Sequence, residues 1–271
     1  MFDISKAQLH SLSDVEVREL VARLCEAELL GGGIPTRSVR WGGAQTAPDR
    51  GLDVDCVVET DDFSGDFVPR PRTGFQVKKS KTPASAIRKE MSPKGQLRPI
   101  FRELAEHNGC YVIVSLQDDP TGNAAASRRD EMRRQVEPTR VYGDLRTEFY
   151  GCNELASWLR QHPGVQLWVR ERLGVPLFGW RPFASWTHTP TGVPDDLICD
   201  KGVTIVLPGK TEKRLNLAQG IDGIRNCFKG SSNALRIVGL SGIGKTRIVQ
   251  ALFEDKVGND PLNRSFAMCI T

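Results

Sequence analysis

Much that would assign this sequence to a class is missing from it. No apolar run in its 271 residues approaches the roughly 20 residues that a membrane-crossing helix needs. Its opening, "MFDISKAQLHS", has neither the basic region nor the apolar segment of a secretory leader. Seven cysteines (Cys25, Cys56, Cys110, Cys152, Cys199, Cys227 and Cys269) are scattered without a CxxC pair. That argues against a zinc site or a disulfide framework and suits a reducing cytosol. His10, His107, His162 and His188 show no ligand spacing. Internal repeats and low-complexity tracts are absent. A dominant charge is lacking too: 37 basic residues stand against 33 acidic ones, a net +4, which permits nucleic-acid binding without demanding it. The expectation is a soluble cytoplasmic protein with no membrane partner.

What is present is a 39% hydrophobic fraction, enough for a large core in one or, on length, two domains. Ser13 with Glu16 three residues on forms a capping box. Val17, Leu20, Val21 and Leu24 then recur at helical spacing until "GGG" at 31 to 33 stops the helix. "LDVDCVVE", "TGFQVKK" and "GCYVIVSL" read as strands. "PASAIRKEM", "LRPIFRELAEH", "AAASRRDEMRRQVEP" and "NELASWLRQHP" read as helical. The alternation predicts an α/β layer architecture. Near Gly174 the chain becomes rich in Pro, Gly and Trp, and a packed connector is expected there, holding the Trp168, Trp180 and Trp186 cluster. The predicted division is 1–172, a connector over 173–230, and 231–271.

"GLSGIGKT", Gly239 to Thr246, matches the phosphate-binding loop pattern GxxxxGK[ST], with a predicted strand "LRIVG" before it and an amphipathic helix after it. Gly239, Ser241, Gly242 and Gly244 let backbone amides turn inward around phosphates. Lys245 is placed to reach the β and γ phosphates of ATP, and the Thr246 hydroxyl to ligate Mg²⁺. Only 25 residues follow Thr246. The expectation is a module cut short after its opening βα unit and the start of the next strand, "SFAMCIT", with no hydrolysis of its own.

Upstream, "DRGLDVDCVV" sets Asp53 after a tight glycine turn at the start of a strand. Side chains alternate along strands, so Asp53 and Asp55 share one face, and Gln76 and Lys78 share one face of theirs. If the strands pair, Asp53, Gln76 and Lys78 converge. A carboxylate and an amide oxygen suit Mg²⁺ or Mn²⁺, and Lys78 can orient the attacking water or offset charge on a phosphate. At 100° per residue from Val17, Glu28 falls within about 20° of the apolar stripe, where a carboxylate must be paired or metal-bound. Glu19 points the other way, toward solvent.

This ordered set resembles the PD-(D/E)xK nuclease superfamily, in particular its Mrr-like restriction-endonuclease branch: a helix, then "GLD" at 51 to 53, "QVK" at 76 to 78, a helix, and "CYVIVS". The resemblance covers roughly residues 10 to 150. It implies a restriction-endonuclease-like α/β fold, a central mixed sheet flanked by helices. Asp53 is then the metal-binding Asp, Gln76 stands at the second acidic position, Lys78 is the catalytic Lys and Glu28 the helix acid. Gln76 departs from the usual carboxylate, so metal affinity falls unless Glu28 or Asp55 compensates.

"KKSK" at 78 to 81, "RK" at 88 and 89 and "SRRDEMRR" at 127 to 134 could contact DNA phosphates, although "RRDEMRR" also reads as a solvated helix face with its own acidic partners. "RIVGLSGIGKTRIVQALFED" resembles the STAND class of signalling NTPases, bacterial antiviral members of which carry effectors at their N-terminus. That resemblance implies an invader-derived trigger acting through a C-terminal region, ATP-driven self-association, and cutting of double-stranded DNA. Two alternatives stay open: a DNA- or partner-binding module with a weak or dead site, and a regulatory cap on a P-loop NTPase.

Overall fold

Ser13 accepts a hydrogen bond from the Glu16 backbone N–H, and the Glu16 carboxylate accepts one from the Ser13 backbone N–H. This reciprocal cap starts helix α2, Asp14–Gly31, and Gly33, at φ +77°, lets the chain leave it. A shorter helix, α1 (Lys6–Ser11), precedes it with its own box from Ser5 and Gln8. The structure, a computed structural model, describes residues 3–42, 51–60, 63–137, 145–182, 202–207, 214–229, 235–254, 257–258, 261–262 and 268–270.

Five strands follow as one sheet: β1 (Val39–Trp41), β2 (Val54–Val57), β3 (Arg72–Lys78), β4 (Cys110–Ser115) and β5 (Arg146–Tyr150), ordered β1-β2-β3-β4-β5. The β1–β2 and β2–β3 pairs are antiparallel, and the β3–β4 and β4–β5 pairs are parallel. Parallel neighbours need crossovers. Helices α3 (Ala84–Met91) and α4 (Ile100–Glu106) supply the first, and α5 (Asn123–Val136) supplies the second. All six residues of β4 are buried, as expected of a parallel strand covered on both faces. On one face Phe75, Val77, Val112 and Val114 pack with α2, α6 (Cys152–Gln161) and residues of α7 (Pro163–Arg172). On the other, Tyr111, Ile113 and Phe149 pack with α3, α4 and α5.

The sequence-based reading of an α/β architecture with a mixed sheet flanked by helices is what the structure has. It differs in detail. Strand β2 is four residues long because Gly51, at φ +86°, turns the chain immediately before Leu52. Strand β5 has little sequence signal: its alternation "RTEFY" is short and opens on an exposed Arg146. Residues 138–144 and part of the connector, Trp186 included, lie outside the described residues. Trp168, on α7, packs against the core and carries the Arg23 and Arg172 guanidinium groups over its ring at 4.8 and 5.4 Å.

Contacts divide the chain into Met1–Pro182 with Ser265–Thr271, and Phe183–Arg264. Within the first unit, β6 (Trp180–Pro182) pairs antiparallel with β7 (Met268–Ile270). The "SFAMCIT" segment was expected to open the next strand of a P-loop sheet, and its described part is instead held by β6. In the second unit α8 (Leu217–Lys229) packs Ile221 and Ile224 against Ile248, Ala251 and Leu252. The Arg225 guanidinium, 1% exposed, donates to the carbonyls of Ala251, Leu252, Glu254 and Val257 and so fixes the end of α9, Lys245–Ala251.

His162, between α6 and α7, is buried with neither ring nitrogen hydrogen-bonded, and burial holds its pKa down at about 4 against the usual 6.5. The unfolded chain therefore takes up the proton first. Stability from this group is complete above pH 6.5 and is lost as pH falls toward 4, by up to ~3 kcal/mol. Urea denaturation across that window should show the loss in the wild type and a flatter profile in His162→Leu.

Candidate active site

The last β2–β3 ladder pair is Val54 opposite Phe75, and beyond it the Asp53 N–H donates to the Phe75 carbonyl at 2.8 Å, one residue out of the regular register. Asp53 is thereby set beside Gln76 and Val77. Its carboxylate Oδ2 accepts from Gln76 Nε2 at 2.6 Å and from the Val77 backbone N–H at 2.7 Å. An ionised carboxylate only accepts, so the Gln76 amide turns its NH₂ toward it. Asp53 and Gln76 are 8% and 6% exposed. Gly74 makes room beside them, since a Cβ there would meet Leu52 Cδ2 at 2.6 Å.

Lys78 follows on the same strand face. Its ammonium sits 2.9 Å from Glu90 Oε2, on α3, and Arg98 Nη2 holds Glu90 Oε1 at 2.9 Å. Arg98 also donates through Nε to the Glu90 backbone carbonyl at 2.8 Å. The Arg98 side chain lies against the Asp53 turn, where a Cβ on Gly51 would fall 2.8 Å from its Cδ. From the α2 side, Arg18 Nε stands 3.1 Å from Asp53 Oδ1, and Arg18 Nη2 pairs with Asp14. The Tyr111 hydroxyl is buried without a partner. Burial first, and then the negative charge of Glu90 and Asp53, pushes its pKa up.

The structure therefore brings Asp53, Gln76 and Lys78 together at one end of the sheet, as alternation along the strands predicted. Glu28 does not join them. Its Oε1 accepts from the backbone N–H groups of Phe67 and Val68, each at 3.0 Å. Burial raises its pKa, opposed by those two amides and by the nearby Trp158 indole, whose N–H is not aligned as a hydrogen bond. Glu28 lies ten residues beyond Arg18, about 15 Å along the helix. A helical wheel gives the angle of a side chain but not its height, and Glu28 serves to pin the loop ahead of β3. Asp55 cannot compensate either, because Arg72 pairs with it and with Glu103. Glu19 is not solvated: it bridges Arg23 and Arg172 at 2.8 and 3.6 Å and is 15% exposed.

Sequence reasoning missed Arg18, Glu90 and Arg98. Glu90 did carry a signal, standing one residue before the buried Met91 and three after the buried Ile87. Among the described residues no group of three or more His, Cys, Asp or Glu side chains forms a metal-binding cluster. Several basic residues offered for DNA are already engaged: Arg88 and Arg134 with the buried Glu131, and Arg128 with Asp118. For that helix the reading of a face with its own acidic partners fits.

In the second unit, Gly242 and Gly244 adopt φ +80° and +87°, the left-handed region open to glycine. Lys245 Nζ folds back onto the carbonyls of Gly239 and Leu240 at 3.0 and 2.8 Å. Ser241 and Thr246 are exposed. The expected strand before the loop is absent: 235–240 joins no ladder among the described residues, and Val238 and Leu240 are 79% exposed. A strand requires a neighbour to take its backbone bonds.

Gln76→Glu would set a second carboxylate against Asp53 at hydrogen-bond distance, and like charges there repel. The expected result is a lower melting temperature than wild type in EDTA and a larger rise on adding Mn²⁺, read by thermal denaturation. An equal Mn²⁺ response in both proteins would count against oxygen ligation here. No family model, curated protein or solved structure matches this chain.

Proposed function

We propose that the first unit is a metal-dependent DNA endonuclease effector of PD-(D/E)xK type, Mrr-like, in a bacterial antiviral protein regulated by ATP. One observation carries the reading: Asp53 and Gln76 meet at 2.6 Å at the end of paired strands, with Lys78 next on the same face. The order of elements supports it, since α2, Asp53 ahead of β2, the end of β3, α3 with α4, and β4 follow the sequence of the resemblance.

The residues fit one hard divalent cation. Asp53 Oδ1 and, with the amide turned over, Gln76 Oε1 offer side-chain oxygens. The Val77 carbonyl leaves β3 on the same side as its N–H, which faces Asp53. So few protein ligands suit Mg²⁺, which keeps several of its waters. Bound there, the metal would polarise a phosphate and activate a water. Lys78, held 2.9 Å from Glu90, supplies a hydrogen-bond donor and a positive charge for the phosphate oxygens. Arg98 fixes Glu90, and Glu90 in turn fixes where the ammonium stands. Glu28 has no part in this arrangement.

ATP at Gly239–Thr246 would govern self-association, bringing effector units together on double-stranded DNA. An invader-derived molecule sensed elsewhere in a longer protein would supply the trigger. A second reading is favoured by the two pairs Arg18–Asp53 and Lys78–Glu90, which already neutralise both reactive groups: a binding module that holds DNA without cutting it.

Plasmid nicking and linearisation with Mg²⁺ or Mn²⁺ separates the two readings. Cutting should be abolished by EDTA and reduced on the order of 10²-fold or more by Lys78→Ala. Asp53→Asn, which keeps an acceptor for Val77, should also abolish it. Metal-insensitive DNA affinity that is unchanged in Lys78→Ala, without cutting at any protein concentration, would favour the binding module.

A further inference from the structure

We infer that Arg18 is a built-in counter-ion that competes with a divalent cation for Asp53. The inference rests on the metal-dependent reading above and concerns what the chain itself sets against the metal. Arg18 reaches from α2 with its Nη2 on Asp14, one turn earlier, and its Nε 3.1 Å from Asp53 Oδ1. One guanidinium thus bridges carboxylates from two separate elements, which is the position a cation would take. The other carboxylate oxygen, Oδ2, is fixed by Gln76 and the Val77 backbone. Oδ1 is therefore the face that a cation would approach, and Arg18 stands on it.

The contact is built to be given up. Elsewhere in this unit the pairs Arg23–Glu19, Arg88–Glu131 and Arg128–Asp118 each aim an Nε–H at the acceptor, at 3.0, 2.9 and 2.9 Å. Arg18 Nε has no hydrogen-bond partner although it lies within ion-pair distance of Asp53. Its attraction is charge without alignment, and a divalent cation outcompetes such an attraction more readily than an aligned bidentate pair. Asp14, 49% exposed, gives the guanidinium somewhere to withdraw. With Asp53 only 8% exposed, water screens this exchange little. Arg18 and the metal cannot both occupy Oδ1, so Arg18 lowers metal affinity by mass action.

Mn²⁺ binding, followed by electron paramagnetic resonance of the free ion without nucleic acid, tests this directly and needs no activity. Arg18→Gln should bind Mn²⁺ on the order of 10-fold tighter than wild type, the scale on which a neighbouring charge alters what a carboxylate holds. Arg18→Lys keeps the charge and should stay near wild type. Arg23→Gln removes the same charge from the same helix but pairs with Glu19, and should change affinity by no more than about 2-fold. Equal or weaker binding in Arg18→Gln, or an equal gain in Arg23→Gln, overturns the inference while leaving the metal site standing. Should Asp53→Asn bind Mn²⁺ as the wild type does, the metal reading falls, and this inference with it.

Discussion

The bond on which the candidate site depends is the one from the Val77 backbone N–H to Asp53 Oδ2. Strand β2 turns away at Gly51, so among the described residues the edge of β3 beyond Phe75 has no further backbone partner on that side, and a buried N–H left unpaired costs about 1–3 kcal/mol. Asp53 takes the place of the missing strand. The carboxylate is thereby fixed in height and direction by the backbone, and Gln76, one residue before Val77, donates to the same oxygen. Structural need and the proposed chemistry share one carboxylate, Oδ2 serving the backbone and Oδ1 left for the cation, which is why an acceptor-preserving substitution at Asp53 is the informative one.

Charge explains the surroundings. Asp14, Asp53 and Glu90 face Arg18, Lys78 and Arg98 in three contacts and one further pair, so the six groups balance. A second carboxylate at position 76 would leave an excess negative charge in a site where both opposing strand residues are under a tenth exposed. An amide avoids that cost in the metal-free protein. The same balance lowers the attraction for a cation, so Gln76 and Arg18 act in one direction: both make the site stable without metal and reluctant to bind it.

The legible part of this site was the part set by local rules. Two-residue alternation placed Gln76 and Lys78 on one face, and the Gly51 turn placed Asp53 at a strand start. Register between β2 and β3 then followed from burial of Val54, Cys56 and Phe75. Arg18, Glu90 and Arg98 lie on other elements, and their approach is decided by how α2 and α3 cross the sheet, which no spacing within a segment records. Glu28 shows the converse: its angle on the helix was right and its burial real, but the backbone of Phe67 and Val68 claims it. Among the fold elements, the long apolar strands and capped helices were readable. The short β5 and the ladder between β6 and β7 were not, because they depend on partners distant in sequence.

The Gly239–Thr246 loop extends the same logic to the second unit. Lys245 donates to two carbonyls of its own loop, so the ammonium closes the turn on itself. A triphosphate offers the lysine stronger, charge-assisted acceptors than neutral carbonyls, and the exposed loop imposes little desolvation cost on the exchange. If the proposed function holds, both ends of the chain follow one design: a cationic side chain rests on an internal acceptor, Arg18 on Asp53 and Lys245 on its loop, until a more highly charged ligand displaces it. What differs is the sign of that ligand. At Asp53 it is a cation that must expel the arginine, and at Lys245 an anion that must attract the lysine. Each resting contact therefore sets a threshold that its ligand must exceed.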